Sequence, residues 1–465
     1  MSAGTTGSSL SARPSQRAIR SSSLPCGTAT FVSQRATRHD SPISSASHPY
    51  RSSARPYARF EIGFATSGLA SGAWQGMTAG TAVPEVAGAP QDSHRLALLG
   101  FRPGPGGIGR VMCDLIEGMH RLGIGLDLLL PPGDYPEWER IWHAAPRRFE
   151  LATRDPLQAT QQLSAYLLRE GPKAVLSNKD RTSALLAQCT SRGAPPVVVC
   201  RIGSDLREKV RRQAFWRRAA YRRERQRIYS AADALIGNSE GVVASLRELL
   251  GPAAPPLHCI PNPVDLDRIA RLAASEDVHP WCLEARTPLV ISVGRLVSAK
   301  DFATLIRAFS QLHKRLPARL LILGEGRQRG TLQRLIRRLG LSDVAALPGF
   351  CPNPFAHLAR ADLFVLSSRY EGSPNALIEA LACGLPCVAT DCRSGPREIL
   401  AEGRLGPLVP VGNALALADA MRHVLNSPPP RTTLLEAARR FDRDANVVRY
   451  AEVLGLLSVG GSPAQ

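Results

Sequence analysis

Two carboxylates and two cations in the second half of the chain have the types and spacing to hold an anionic, hydroxyl-rich ligand. Glu371 and Glu379 bracket Glu371-Gly-Ser-Pro-Asn-Ala-Leu-Ile-Glu379, and Arg295 and Lys300 bracket Arg295-Leu-Val-Ser-Ala-Lys300. A carboxylate accepts hydrogen bonds from two neighbouring hydroxyls, which a ribose or a hexose offers. Arginine supplies a bidentate fork and lysine a point charge, a division suited to two phosphate groups. Glu371 comes one step before the backbone N–H groups of Gly372, Ser373 and Asn375. Glu379 lies one helical turn after Asn375, so both can share a face while Leu377, Ala380 and Leu381 turn to a sheet. The plain alternative is a loop acid, a solvated helix face and surface cations.

These residues need elements to position them. Ala361–Leu366 reads as a buried parallel strand. Ser373 as N-cap and Pro374 at the first helical position start a helix that Gly384 and Pro386 end near Cys383, and Pro386–Ala389 is the next strand. Such strand–loop–helix–strand units build doubly wound sheets, which bind ligands at the carboxyl ends of their strands. Leu289–Val293 reads as the strand before Arg295, with Lys300 at the head of a helix. Arg319–Leu323 runs into Gly324-Glu-Gly326, and Leu347-Pro-Gly-Phe350 ends a further strand. A helix over Leu415–Leu425, the breaker Pro428–Pro430 and a final helix over Thr433–Leu456 follow.

The first half repeats the alternation, with strands at Leu96–Leu99, Leu126–Leu130, Ala174–Leu176, Pro196–Cys200 and Ala234–Ile236. After its first strand, Gly104-x-Gly106-x-x-Gly109 opens a helix over Arg110–Leu122. This matches the dinucleotide fingerprint, but the acid that should close the second strand is missing, since Asp127 comes early in it. The loop offers backbone donors to a phosphate or to sugar hydroxyls, or is simply a tight turn. Segment 207–227 is strongly basic, with Phe215, Trp216 and Tyr221 interleaved, and reads as a helix. It suits an anionic membrane surface, nucleic-acid phosphates, or solvent.

The chain has 465 residues, which implies two domains of similar size, and a net charge of +19, which implies an anionic partner or surface. No run is long and apolar enough for a spanning helix, so membrane contact is expected to be peripheral. The ten cysteines sit among apolar positions, as in a reducing compartment. Cys383, Cys387 and Cys392 lack a fourth ligand, and no metal is expected. Residues 1–93 are rich in Ser, Arg, Ala and Gly and are expected to be disordered. They resemble a transit peptide in composition, but an over-extended start with Met77 as the initiator fits the Ala-, Arg-, Gly- and Pro-rich chain better.

The motif Glu371–Ala380, with Gly384-Leu-Pro and Gly395-Pro-Arg-Glu-Ile399, resembles the donor-site signature of glycosyltransferase family 4. The resemblance extends to Val293-Gly-Arg-Leu-Val-Ser-Ala-Lys300, Leu323-Gly-Glu-Gly326, Leu347-Pro-Gly-Phe350 and Ile260-Pro-Asn-Pro-Val-Asp265, and covers about Leu96 to Leu454. It implies a GT-B fold, two Rossmann-like domains facing a cleft. The expected boundaries are an extension at 1–93, an acceptor-side domain at 94–275, a nucleotide-sugar domain at 276–430 and a helix at 431–465 returning to the first domain. The hinge is expected at Ala273–Arg286.

The resemblance further implies a retaining, metal-independent transfer of a sugar from a nucleotide diphosphate, uridine-linked, to a hydroxyl acceptor, without a cofactor. It gives Arg295 and Lys300 the leaving diphosphate, Glu371 the donor sugar and Glu379 the ribose. Gly106 and Gly107 would close over the donor, Phe350 and its loop would cradle the base, and Gly372, Ser373, Pro374 and Asn375 would complete the site. The family's acceptor-side histidine is absent; Lys179, Asp180, Arg201 and Asp205 stand in the corresponding loops. The expected acceptor is a lipid-linked glycan of cell-surface polysaccharide assembly at the inner face of the cytoplasmic membrane, with no nucleic acid. The other readings are a dinucleotide-dependent oxidoreductase or epimerase and a non-catalytic polyanion binder.

Overall fold

The computed structural model describes residues 95–458 apart from 102–105, 134–140, 142–143, 145, 153–154, 191 and 285–286. The expected extension, Met77 and Gly104 lie outside the described residues. Two sheets are built in succession. The first half runs β1 (Arg95–Leu99), α1 (Gly107–Arg121), β2 (Gly125–Leu130), β3 (Arg147–Glu150), α2 (Pro156–Glu170), β4 (Ala174–Ser177), α3 (Asp180–Cys189), β5 (Val197–Ile202), α4 (Leu206–Arg211), α5 (Arg218–Ser230), β6 (Ala234–Gly237), α6 (Glu240–Leu250) and β7 (Leu257–Cys259). The second runs α7 (Leu266–Ala273), β8 (Leu289–Val293), α8 (Phe302–His313), β9 (Arg319–Leu323), α9 (Arg329–Arg338), β10 (Ala345–Gly349), α10 (Phe355–Leu358) and β11 (Leu363–Leu366). It continues through α11 (Asn375–Ala382), β12 (Cys387–Thr390), α12 (Pro396–Ile399), β13 (Leu408–Val409), α13 (Ala414–Asn426), α14 (Arg431–Ala438) and α15 (Arg443–Val453).

The first sheet has the order β3-β2-β1-β4-β5-β6-β7 and the second β10-β9-β8-β11-β12-β13, with parallel pairing throughout. Both faces of each sheet are covered, which is why the strands read as apolar runs rather than as alternations. Leu96 and Leu98 pack with Met112 and Ile116 of α1, while Ala97 and Leu99 pack with Leu163 and Leu186 on the other face. In the second sheet Ile322 meets Phe309 and Met421 on one side, and Leu321 and Phe364 meet Leu377 and Leu381 on the other. The strand order reverses between β1 and β4, and again between β8 and β11. Ligands of doubly wound sheets lie in the crevice at such points.

Asp127 is fully buried in the first sheet and ties three strands together. Its carboxylate accepts from Arg95 Nη2 at 2.5 Å, Arg147 Nη2 at 2.7 Å and Tyr166 Oη at 2.8 Å. Burial pushes its pKa up, but these donors outweigh burial and hold it below the usual carboxylate range. A folded-state pKa below the unfolded one gives stability that is full above about pH 3.9 and is lost as pH falls through the lowered value. Asp127→Asn is therefore expected to cost about 3 kcal/mol at neutral pH, in urea unfolding, with the deficit shrinking in acid.

The chain crosses between the halves twice, side by side. Val264 N donates to Phe441 O at 2.9 Å, and Val264 and Asp442 form a parallel bridge. Buried Arg443 donates to Asp265 at 2.7 Å and pairs with Glu117 of α1 at 3.4 Å. Helix α15 then packs on α1 so closely that a Cβ on Gly118 would lie 2.6 Å from Val447 Cγ2.

Several local expectations are corrected. The final helix is two: α14 packs with α11, Phe441 is buried, and Asp442 caps a fresh start for α15 by accepting from Asp444 N and Ala445 N. The basic helix over 207–227 is broken between α4 and α5. There Arg218 donates to Gln213 O and Arg211 O, carbonyls that a continuous helix would have used itself. Residues read as hinge pack on the second half, with His279 N donating to His357 Nε2 at 3.0 Å and Arg319 lying over Trp281. Helix α1 starts at Gly107 rather than Arg110, and α11 starts at Asn375 with Pro374, not Ser373, at the cap position. Lys300 precedes its helix, which begins at Phe302.

Candidate active site

The carboxyl ends of β8 and β11 bring the second-half cations and Glu371 together. Gly294 N donates to Leu323 O and Leu296 N to Glu325 O, so the Arg295 loop lies on the Gly324-Glu-Gly326 turn. Gly324 has φ +147°, and a Cβ there would come within 2.0 Å of Gly294 O. Only glycine tolerates both conditions. The Arg295 side chain is exposed. Lys300 Nζ donates to Glu371 Oε1 at 2.5 Å, and Ser368 Oγ donates to the same oxygen at 2.6 Å. Ser367 Oγ fixes the lysine backbone by donating to Lys300 O at 2.8 Å. Both charged side chains are largely but not wholly covered, at 20% and 13% exposure.

The loop after Glu371 meets the first half directly. A Cβ on Gly372 would lie 2.2 Å from Gly203 O, and one on Gly395 2.5 Å from Pro374 Cδ. Gly372 thus touches the first half, while Ser373 and Pro374 pack back on Gly395 of their own half. Across the cleft Asn375 Nδ2 donates to Gly107 O at 2.9 Å, and Asn375 Oδ1 accepts from Asn262 Nδ2 at 2.5 Å. Asn262 Oδ1 in turn accepts from Arg201 Nη2 at 2.5 Å, and Arg201 also donates to Asn178 Oδ1 and Tyr450 Oη. A continuous polar chain therefore links α15, the ends of β4 and β5, the first crossing and the head of α11. Gly106, the N-cap of α1, is exposed and touches nothing that a Cβ would meet.

Glu379 is almost fully buried and is held by Arg110 from the opposite half. Arg110 Nε and Nη2 reach Oε1 at 3.0 and 2.8 Å, and Nη2 reaches Oε2 at 3.0 Å. The Arg110 guanidinium also lies 5.6 Å from the centre of the Phe355 ring. Further contacts bind the halves: Ser394 Oγ donates to Asp205 at 3.0 Å, and Glu398 accepts from Glu240 N and Gly241 N at the start of α6. Arg212 lies 5.0 Å from the Tyr370 ring centre, next to Glu371.

Of the predicted residues, the structure gathers Lys300, Glu371, Gly372, Ser373, Pro374, Asn375, Glu379 and Gly107 along one seam. Phe350 lies apart at the end of β10, half exposed. Among the acceptor-side candidates, Arg201 joins the seam. Asp180 is taken by Lys209, Tyr229 and Arg225, and Asp205 by Arg207 and Ser394. Lys179 precedes α3. Burial pushes both acids up, but for Asp180 the Lys209 charge and the Tyr229 bond outweigh it, and for Asp205 the Arg207 bonds and charge do, so both lie below the ordinary carboxylate range. Asp127, committed to Arg95, Arg147 and Tyr166, has no face left for a cofactor ribose. Among the described residues no cluster of His, Cys, Asp or Glu could hold a metal, and no helix is long and apolar enough to cross a membrane.

Sequence reasoning missed Arg110, Asn262 and Asn178. A signal for Arg110 did exist. A cation in the first turn of a helix opposes the helix dipole, and α1 has no acid in its own first turn, so an acid from elsewhere would offset it.

Known proteins are similar to this chain in sequence and in fold. The description "Glycosyl transferase 4-like domain" matches residues 106–263 and "Glycosyl transferases group 1" matches 280–441, together more than half of the chain. A Campylobacter jejuni protein named N-acetylgalactosamine-N,N'-diacetylbacillosaminyl-diphospho-undecaprenol 4-alpha-N-acetylgalactosaminyltransferase is 32% identical over 224 residues, 48% of this chain and 59% of that protein. The lipopolysaccharide core biosynthesis glycosyltransferase LpsE of Rhizobium meliloti is 26% identical over 75% of this chain and 96% of its own length. Among solved structures, Anabaena HepE in complex with UDP-glucose superposes with a TM-score of 0.62 at 19% identity, covering 77% of this chain and 99% of that one. Sucrose-phosphate synthase from Thermosynechococcus elongatus gives a TM-score of 0.64 at 20% identity, covering 77% and 98%. With two parallel Rossmann-like sheets meeting along a seam that carries its signature residues, the chain belongs to the group 1, family 4 glycosyltransferases and has the GT-B fold.

Proposed function

We propose that the protein is a retaining glycosyltransferase that moves a hexosyl unit from a uridine diphosphate sugar to a hydroxyl of a lipid-linked glycan. The observation that carries this reading is the Lys300–Glu371 pair at the second switch point, with exposed Arg295 beside it and the Gly107 loop touching Asn375 from the opposite half. Fold likeness alone would not name a reaction. In this reading Arg295 and Lys300 take the charge that grows on the diphosphate as the bond from the anomeric carbon to the phosphate oxygen breaks. Protein cations supply that role, so the reaction is metal-independent. The acceptor oxygen forms its bond on the same face, and its proton passes to the departing phosphate oxygen. Glu371 orients the donor's sugar hydroxyls, Glu379 holds the ribose, and the base lies by Phe350.

A thermal-shift panel of nucleotide sugars and nicotinamide cofactors on the full chain tests the reading. A ligand that binds only the folded state raises Tm in step with its affinity. A shift with one uridine-linked sugar, lost in Glu379→Ala, supports it; a shift with a nicotinamide cofactor alone overturns it.

The acceptor assignment draws on chemistry at α4 and α5. Arg207, Arg211, Arg218 and Arg222 line a pocket of about 330 Å³ with Leu206, Val210 and one acid, Glu248. Beside it Phe215 and Trp216 are 76% and 70% exposed. Cations with adjacent exposed aromatics suit an anionic headgroup layer. The Campylobacter relative is named for a diphospho-undecaprenol substrate and the Rhizobium one for lipopolysaccharide core, which fits an acceptor at the inner membrane face. Replacing Phe215 and Trp216 together by serine is expected to weaken sedimentation with phosphatidylglycerol vesicles about tenfold or more, with phosphatidylcholine vesicles as the control.

A further inference from the structure

Neither half needs Arg110 for its own core, yet this side chain takes both oxygens of the carboxylate that the donor reading assigns to the ribose. We propose that Arg110 is a donor-gating residue, which competes with the ribose hydroxyls for Glu379 and so ties nucleotide entry to parting of the two halves. The inference rests on the donor reading above.

Three observations support it. Arg110 approaches Glu379 with two nitrogens, in three bonds of 2.8 to 3.0 Å that fill Oε1 and half of Oε2, so a pair of ribose hydroxyls could bind both oxygens only by displacing Arg110. The two side chains are 18% and 6% exposed, and the cavity they bound with Asn375 and Phe355 measures about 10 Å³. That space takes roughly one water and no sugar ring. Finally, Arg110 stands in the first turn of α1, where a cation is unfavourable by itself. Glu379 offsets this from the other half, so the pair favours the shut cleft and gains nothing within either half alone. Asn375, which donates to Gly107 O one turn before Glu379, acts in the same place and the same sense.

Nucleotide binding must then exchange one set of bonds to Glu379 for another. A competitor built into the protein lowers apparent affinity by the factor with which it holds its site.

The test is UDP binding by calorimetry to the full chain and to Arg110→Ala and Arg110→Lys. Arg110→Ala is expected to bind UDP about tenfold more tightly, and Arg110→Lys about threefold, because lysine keeps the charge but loses the parallel fork. In a Glu379→Gln background the Arg110→Ala gain is expected to disappear, which a merely structural arginine would not predict. Spin labels across the cleft are expected to separate in Arg110→Ala. Unchanged or weaker UDP binding in both Arg110 variants, with wild type binding normally, overturns the gate and leaves the donor reading standing. Failure of folded wild type and variants alike to bind UDP overturns both. Should Arg110→Ala fail to fold, Arg110→Lys decides by the same criteria.

Discussion

Glu371→Ala is expected to lower kcat about 10³-fold while leaving the Kd for the donor within about threefold. The asymmetry follows from Glu371 pairing with Lys300 at 2.5 Å. Removing the carboxylate does not remove the cation that holds the diphosphate; it frees that cation. What is lost is orientation: Ser368, Glu371 and Lys300 form a linked set, and a sugar whose hydroxyls no longer meet a fixed carboxylate sits at the wrong angle to the acceptor. Single-turnover rates and donor titration separate the two quantities. Parallel tenfold losses in both would sink this division of labour, and a weaker Kd with kcat unchanged would assign Glu371 to uniform binding and remove it from the catalytic set.

Glu379→Ala is expected to do the opposite, raising donor KM about 100-fold with kcat changed by less than tenfold. This side chain is buried beneath the helix head, away from Lys300 and next to Asn375, so the reacting bond does not feel it. A hydroxyl pair that loses two bonds to an ionised acceptor in a covered site loses about 4 kcal/mol, and release of the Arg110 competitor returns about 1.4 kcal/mol, which leaves the stated ratio. Comparing UDP with 2′-deoxy-UDP checks the assignment: wild type should favour UDP strongly, and the variant should treat the two alike.

The sheets were legible because a doubly wound strand is an apolar run with a glycine or polar loop at its end, and Leu96–Leu99, Leu289–Val293 and the run ending at Leu366 each have that form. Strand β3 escaped notice because Arg147-Arg-Phe-Glu150 is an edge held by Asp127 rather than by apolar burial, so no periodicity marks it. The break near Asp442 was hidden inside a helical pattern, although Asp442 followed by Asp444 is a capping signal. On the site, residue types and spacing pointed to Glu371, Lys300, Asn375 and Glu379 but not to Arg110 and Asn262. Arg110 lies 269 residues from Glu379, and Asn262 lies 113 residues from Asn375, the side chains they bind. Spacing along the chain carries no information about such pairs; only the misplaced charge in α1 hinted at one of them.

The paired crossings at Val264 and Asp442 constrain how the molecule can work. A single connecting strand could swivel about its backbone bonds, letting one half wander over the other. Two plies lying edge to edge and riveted by Arg443 behave as a flat strap, which flexes across its width but resists twisting. The halves are therefore expected to part most easily about one axis, an opening that would bring Gly107 back to Asn375 on closure.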